Sequence, residues 1–281
     1  MRIRSVAAAS LSAALLLGVV VPASAQDDPY QLLTEAVTST AAATSFHVLA
    51  EASGTLNMGE TMGGVAFPID GTRAEGDVSI KPPAVSLTFD VPLQGLAISG
   101  GLIVPGDGNA YVKLALPVGS VDDLWHIIPI GELDVPETLA SPPPAAELAA
   151  ELKTELDNAG VVITNEGDTS CAAGTCTRLH LEVPAEALES NMGPLGGLSE
   201  MLPGASPAAS APAAAPIPVD ILIDTASKRL DSFIVTVADE ANGTNVTLTV
   251  TMSAYDAPVT LTPPPADQTT TEPLLGGAFG G

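Results

Sequence analysis

The chain has 281 residues, with 33 acidic side chains against 9 basic ones and a formal charge of −24. That balance excludes electrostatic capture of nucleic acid or of an anionic membrane surface. Apolar residues make up 46% of the chain but aromatics only 3%, so its interior must be built from Ala, Val, Leu and Ile.

Residues 1–25 read as a signal peptide. Arg2 and Arg4 precede an apolar run over 6–21, and Pro22-Ala23-Ser24-Ala25 places small residues at a cleavage site after Ala25. The competing reading is an uncleaved membrane anchor; the short run and the A-x-A ending favour removal. No Cys stands here to take a lipid, and no later apolar stretch is long enough to span a bilayer. The expected product is secreted or extracytoplasmic, in the cell envelope, not lipid-anchored, and not membrane-spanning after cleavage. Arg2 and Arg4 leave with the leader and no acid does, which takes the formal charge from −24 to −26.

Residues 26–262 read as one domain. Asp28 is placed to cap a helix with Pro29 at its first position and Gln31 three after the cap; Leu33, Val37 and Ala41 then share a face up to Thr44-Ser45. A β region follows, with strands expected over 46–56, 72–80, 84–91, 96–104 and 109–116 and a Gly-rich loop over 58–68. The clearest alternation is Val85, Leu87 and Phe89 against Ser86, Thr88 and Asp90. Asp123-Leu124-Trp125-His126, which holds the only Trp, reads as a loop. Helical segments are expected over 136–139 and 145–158, where Leu148, Leu152 and Leu156 share a face and Gly160 is a natural stop.

The two cysteines, Cys171 and Cys176, lie between strand-like flanks. A hairpin disulfide is expected, because a redox pair favours C-x-x-C at a helix start and a zinc site needs further ligands. Such a short loop contributes about 2 kcal/mol. Residues 192–216 are Pro, Ala, Gly and Ser and read as a flexible insertion. Strands over 218–224, 229–238 and 245–255 close the domain, and 263–281 is expected to be a disordered tail. The fold class expected is α+β: a strongly curved antiparallel β-sheet, or half-barrel, with helices covering its concave, apolar face.

Several stretches resemble the mycobacterial LppX, LprA, LprF and LprG lipoproteins, in the wider group of half-barrel carriers with LolA and LolB. These are Leu32-Leu33-Thr34-Glu35-Ala36 running into Ser45-Phe46-His47-Val48, then Gly108-Asn109-Ala110-Tyr111-Val112 with Leu124-Trp125. The last is Pro218-Val219-Asp220-Ile221-Leu222-Ile223-Asp224 leading to Lys228-Arg229-Leu230. The resemblance implies a cavity for acylated lipids or glycolipids. The chain departs from it in lacking a lipobox Cys, in the 192–216 insertion and in its acidity.

No G-x-S-x-G, H-E-x-x-H, P-loop or dinucleotide-binding pattern occurs, and no cofactor, metal site or catalytic residue is expected. His47, His126 and His180 are scattered and read as structural. Asp122-Asp123 lacks the spaced oxygens calcium needs, and the sequons at Asn242 and Asn245 read as chance. The expectation is a non-enzymatic binder or carrier of a lipid or hydrophobic small molecule. Its cavity would be lined by Val85, Leu87, Phe89, Leu96, Ile98, Val112, Leu114, Phe233, Val235, Val237, Val246, Leu248 and Val250. The rival is an interaction or sensor module with a packed half-barrel that meets an envelope protein.

Overall fold

A computed structural model describes residues 28–57, 66–93, 96–116, 123–132, 145–184, 215–239 and 243–272. The expected signal peptide, the 136–139 helix and the 192–216 insertion (apart from its last two residues) lie outside them. Helix α1 is Pro29–Ala41 and helix α2 is Ala145–Asn158. Strands β1 Ser45–Asn57, β2 Ala66–Pro68, β3 Thr72–Ile80, β4 Pro83–Leu93, β5 Leu96–Val104, β6 Asn109–Ala115 and β7 Trp125–Pro129 come first. They are followed by β8 Val162–Cys171, β9 Gly174–Val183, β10 Ile217–Asp224, β11 Leu230–Asp239, β12 Thr244–Ser253 and β13 Thr269–Thr270.

The strands form one sheet in the order β13-β7-β6-β5-β4-β3-β1-β12-β11-β10-β9-β8, with β2 paired to β1. All pairings are antiparallel except β13 with β7. The ends do not meet, so the sheet is open. The fold is the α+β class expected, a half-barrel with thirteen strands and two α-helices among the described residues. The helix start is held by Asp28, whose Oδ1 accepts from the Tyr30 N–H at 3.0 Å; Gln31 instead donates to Glu35. Gly160, at φ +68°, turns the chain out of α2 in the left-handed region that favours glycine.

Because register partners point to the same side, the ladders define two faces. One is apolar. It runs from Leu181 and Leu179 (β9) through Val219 and Ile221 (β10), Val235 and Phe233 (β11) and Leu248 and Val250 (β12). It continues through Ala52 and Ala50 (β1), Ala74 and Gly76 (β3), Phe89 and Leu87 (β4), Gly100 and Leu102 (β5) and Leu114 and Val112 (β6). The other face is polar, with Thr247, Thr249 and Thr251 beside Ser53, Glu51 and Leu49 and then Arg73, Glu75 and Asp77.

Among the described residues, the helices cover one end of the apolar face. The buried core joins Leu32, Leu33 and Ala36 of α1 and Leu156 of α2 to Val161, Ile163, Leu179, Leu181, Val183 and Ile223, with Leu152, Val219, Ile221 and Leu230 packed around them. No residue of β1–β7 belongs to this cluster. The buried α1 face is Leu32, Leu33 and Ala36, with Val37 at its margin; of the expected Leu33, Val37 and Ala41, only Leu33 is buried.

Three elements differ from expectation. Trp125 and His126 begin β7 rather than lying in a loop, because β6 offers them an unpaired edge: Tyr111 pairs with Ile127 and Val112 with His126. Part of the Gly-rich 58–68 segment forms β2 on the end of β1. The tail does not fray from 263: residues 266–268 make a turn of 3₁₀ helix and β13 pairs with Trp125 and His126. His126, buried, binds the Glu272 carbonyl at 2.8 Å through Nδ1 and ties this strand down.

At the opposite edge, the Cys171–Cys176 disulfide closes the β8–β9 hairpin as expected. Buried Asp231 accepts from the Ala173 N–H in its turn at 3.1 Å. Those two sulfurs and Asp231 are the one cluster with metal-ligand proximity among the described residues, and the disulfide consumes its thiolates.

Candidate functional site

The register puts the thirteen residues expected to line a cavity at positions of a single face. Val85, Leu87 and Phe89 pair with Val104, Leu102 and Gly100, and Ile98 with Val91; Leu114 and Val112 continue the row on β6. On the other side Phe233, Val235 and Val237 pair with Val250, Leu248 and Val246. Leu96 holds the matching backbone position opposite Leu93. Val235 and Val246 are buried, while Val85, Leu87, Phe89, Ile98, Val112, Leu114, Phe233, Val237, Leu248 and Val250 are half-buried. The two triplets lie on separate parts of the sheet, with β1 and β3 between them. There Ala50, Ala52, Ala74 and Gly76 keep the face low. The small residues are forced in part by close approach: a Cβ on Gly76 would sit 1.8 Å from the Ser86 carbonyl oxygen.

A cleft of about 400 Å³ lies across β3–β7, lined mainly by the opposite, polar face. Of the thirteen residues only Phe89 borders it. Two cross-strand rows make it. One is Glu75, Thr88, Gly101 and Lys113, with Trp125 next on β7; the other is Arg73, Asp90, Ser99 and Ala115. Its charges pair locally: Arg73 Nη2 to Glu75 Oε2 at 2.6 Å, and Lys113 Nζ to the exposed Asp123 at 2.5 Å. Sequence reasoning missed this cleft because its residues are the polar half of the alternation on five strands. The available signals were Gly100-Gly101 in mid-strand and the lone Trp125. A Cβ on Gly100 would meet Phe89 Cζ at 2.4 Å, and one on Gly101 would meet Trp125 Cη2 at 2.7 Å, so an aromatic ring lies against each glycine.

The same polar face carries a charge network at the helix-covered end. Asp220 accepts from Arg178 Nη2 at 2.6 Å and meets His180 Nδ1 at 2.7 Å; Arg178 Nε lies 3.1 Å from Glu166, an ion pair without hydrogen-bond geometry. Burial works to raise the Asp220 carboxyl, but the hydrogen bonds from Arg178 and His180 outweigh it and hold it below the usual carboxylate range. His47, read as structural, pairs across strands with Asp77 at 2.9 Å. Nearby, Tyr255 is pushed up to about 12 by burial, its hydroxyl donating to the Leu230 carbonyl at 2.6 Å. These contacts brace the strands. No nucleophile stands beside a base in them.

No family model and no curated protein matches the chain. Solved structures do. LppX, a lipoprotein of Mycobacterium tuberculosis, is 18% identical over 82% of this chain and 96% of its own, at a TM-score of 0.44. LprF of Mycobacterium bovis is 14% identical over 84% and 96%, at 0.47. A DUF1329 family protein of Desulfovibrio piger is 10% identical over 83% and 95%, at 0.23. The first two are members of the group whose motifs the sequence resembles. At such identities and scores the likeness says nothing about a ligand. Among the described residues, no helix is long and apolar enough to cross a membrane.

Proposed function

We propose that the chain is an extracytoplasmic, non-catalytic binder or carrier of a lipid or other hydrophobic molecule, held on the apolar face of β1 and β3–β7. One observation carries this reading. The apolar face runs unbroken across the sheet, yet the buried core beneath the helices stops at β8–β11. On β4–β6, Leu87, Phe89, Val112 and Leu114 are half-buried and outside that core. An acyl chain laid there gains roughly 0.8 kcal/mol for each methylene buried. Aliphatic side chains set beside Ala50, Ala74 and Gly76 make a shallow floor that fits a flexible chain better than a rigid polar one.

The rival reading, a packed interaction module, differs in what a bulky side chain does on this face. Leu87→Trp should abolish uptake of a labelled fatty acid from mixed vesicles and leave the unfolding midpoint unchanged if the face holds a ligand. Destabilisation by about 1–3 kcal/mol, with no uptake by the unmodified chain, identifies a packed face and ends the carrier reading.

A further inference from the structure

The cleft on the polar face lies behind the proposed lipid-binding surface, and its chemistry is different. Gly101 removes a side chain from the middle of one row and the Trp125 ring lies over it, with Thr88, Ser99 and Ala115 lining the cleft beside the charged residues. From β3 to β7 is four strand spacings, about 19 Å, so the trench runs across the strands. Arg73 pairs with Glu75 and Lys113 with Asp123, and Asp90 adds a third carboxylate, so the rim mixes both signs of charge in a chain of formal charge −24. Two of the chain's nine basic residues are spent here, although surface charge elsewhere is overwhelmingly acidic. Such a rim does not favour an anion. It offers hydrogen-bond donors and acceptors side by side.

We propose that this cleft binds a neutral saccharide. A sugar ring shows C–H groups on its faces and hydroxyls at its edge. The half-buried indole of Trp125 supplies an apolar surface for the first. Arg73–Glu75 and Lys113–Asp123, with Asp90 and the Thr88 and Ser99 hydroxyls, supply donors and acceptors for the second. The volume of about 400 Å³ is within the range of small-molecule sites. Trp125 is held for this task from both sides, by β6 and by β13. Among the described residues Lys113 pairs with exposed Asp123, and such a surface pair exchanges at little cost. The inference is independent of the lipid reading, since it concerns the other face of the sheet.

Trp125 is the only tryptophan, so its emission reports on this cleft alone. The full chain should be titrated with glucose, galactose, mannose, cellobiose and lactose while emission is followed, with saturation-transfer NMR as a second readout. The expected result is a saturable change at millimolar concentrations of at least one sugar. Lys113→Met should weaken it at least about tenfold, through the loss of a charged hydrogen-bond donor. Ser99→Phe should abolish it by filling the floor, and Leu87→Ala, on the opposite face, should leave it unchanged. Should Ser99→Phe fail to fold by circular dichroism, Lys113→Met, which alters only the rim, decides. A linear response with no saturation transfer across the panel overturns the proposal. So does saturable binding that both cleft variants leave intact.

Discussion

Leu179 on β9 and Leu87 on β4 stand on the same face of one sheet, in strands of similar alternation, and end in different surroundings. Leu179 is 0% exposed, closed in with Leu156, itself 1% exposed, from α2. Leu87 is half-buried, between Gly76 on β3 and Leu102 on β5. Alternation decides which way a side chain points. It does not decide what comes to cover it. At β8–β11 the chain supplies its own cover, from helices whose Leu32, Leu33 and Ala36 fit Leu179 and Leu181. Among the described residues no helix joins β3–β6 to the buried core, and that difference is what the proposed function rests on.

The contrast can be broken by mutation. Leu179→Ala should cost the most, about 2–5 kcal/mol in chemical denaturation, because it opens a cavity in a sealed core. Replacing Cys171 and Cys176 together by Ser should cost about 2 kcal/mol, since the closed loop is short. Leu87→Ala should cost only about 1 kcal/mol, half or less of a full Leu burial, in the protein stripped of ligand. A value equal to that of Leu179→Ala would make the two ends equivalent and remove the contrast.

Asp220→Asn sharpens the same contrast from the polar side, where the helix-covered end is braced by charge. The folded Asp220 titrates below its unfolded value, so its contribution is complete above about pH 4 and is lost as pH falls further through the folded pKa. Stability of the unmodified chain should therefore drop as pH falls below about 4, and the variant should show a shallower slope there, measured by urea midpoints. The smallest effect belongs to Val162, which is 55% exposed beside the core. Val162→Thr should stay within about 0.5 kcal/mol of zero.

Much of this fold was legible in the sequence because its strands alternate strictly. The Val85/Leu87/Phe89 and Val246/Leu248/Val250 patterns placed β4 and β12 and assigned their faces, and Asp28-Pro29 marked the start of α1. What escaped was decided by partners rather than by local pattern. Trp125-His126 has no alternation long enough to announce a strand and becomes one only between β6 and β13. The same holds for Thr269–Thr270, whose sequence is that of a tail. The polar-face cleft escaped for a related reason: its residues are dispersed over five strands and adjacent only after pairing.

The most direct test of hydrophobic-ligand binding compares native and denaturing mass spectra of the chain from residue 26 onward, purified from a native-like host. The expected result is an added mass that vanishes on denaturation and is recovered as lipid in the organic extract. A ligand-free mass that stays unchanged after incubation with mixed lipid vesicles would contradict it.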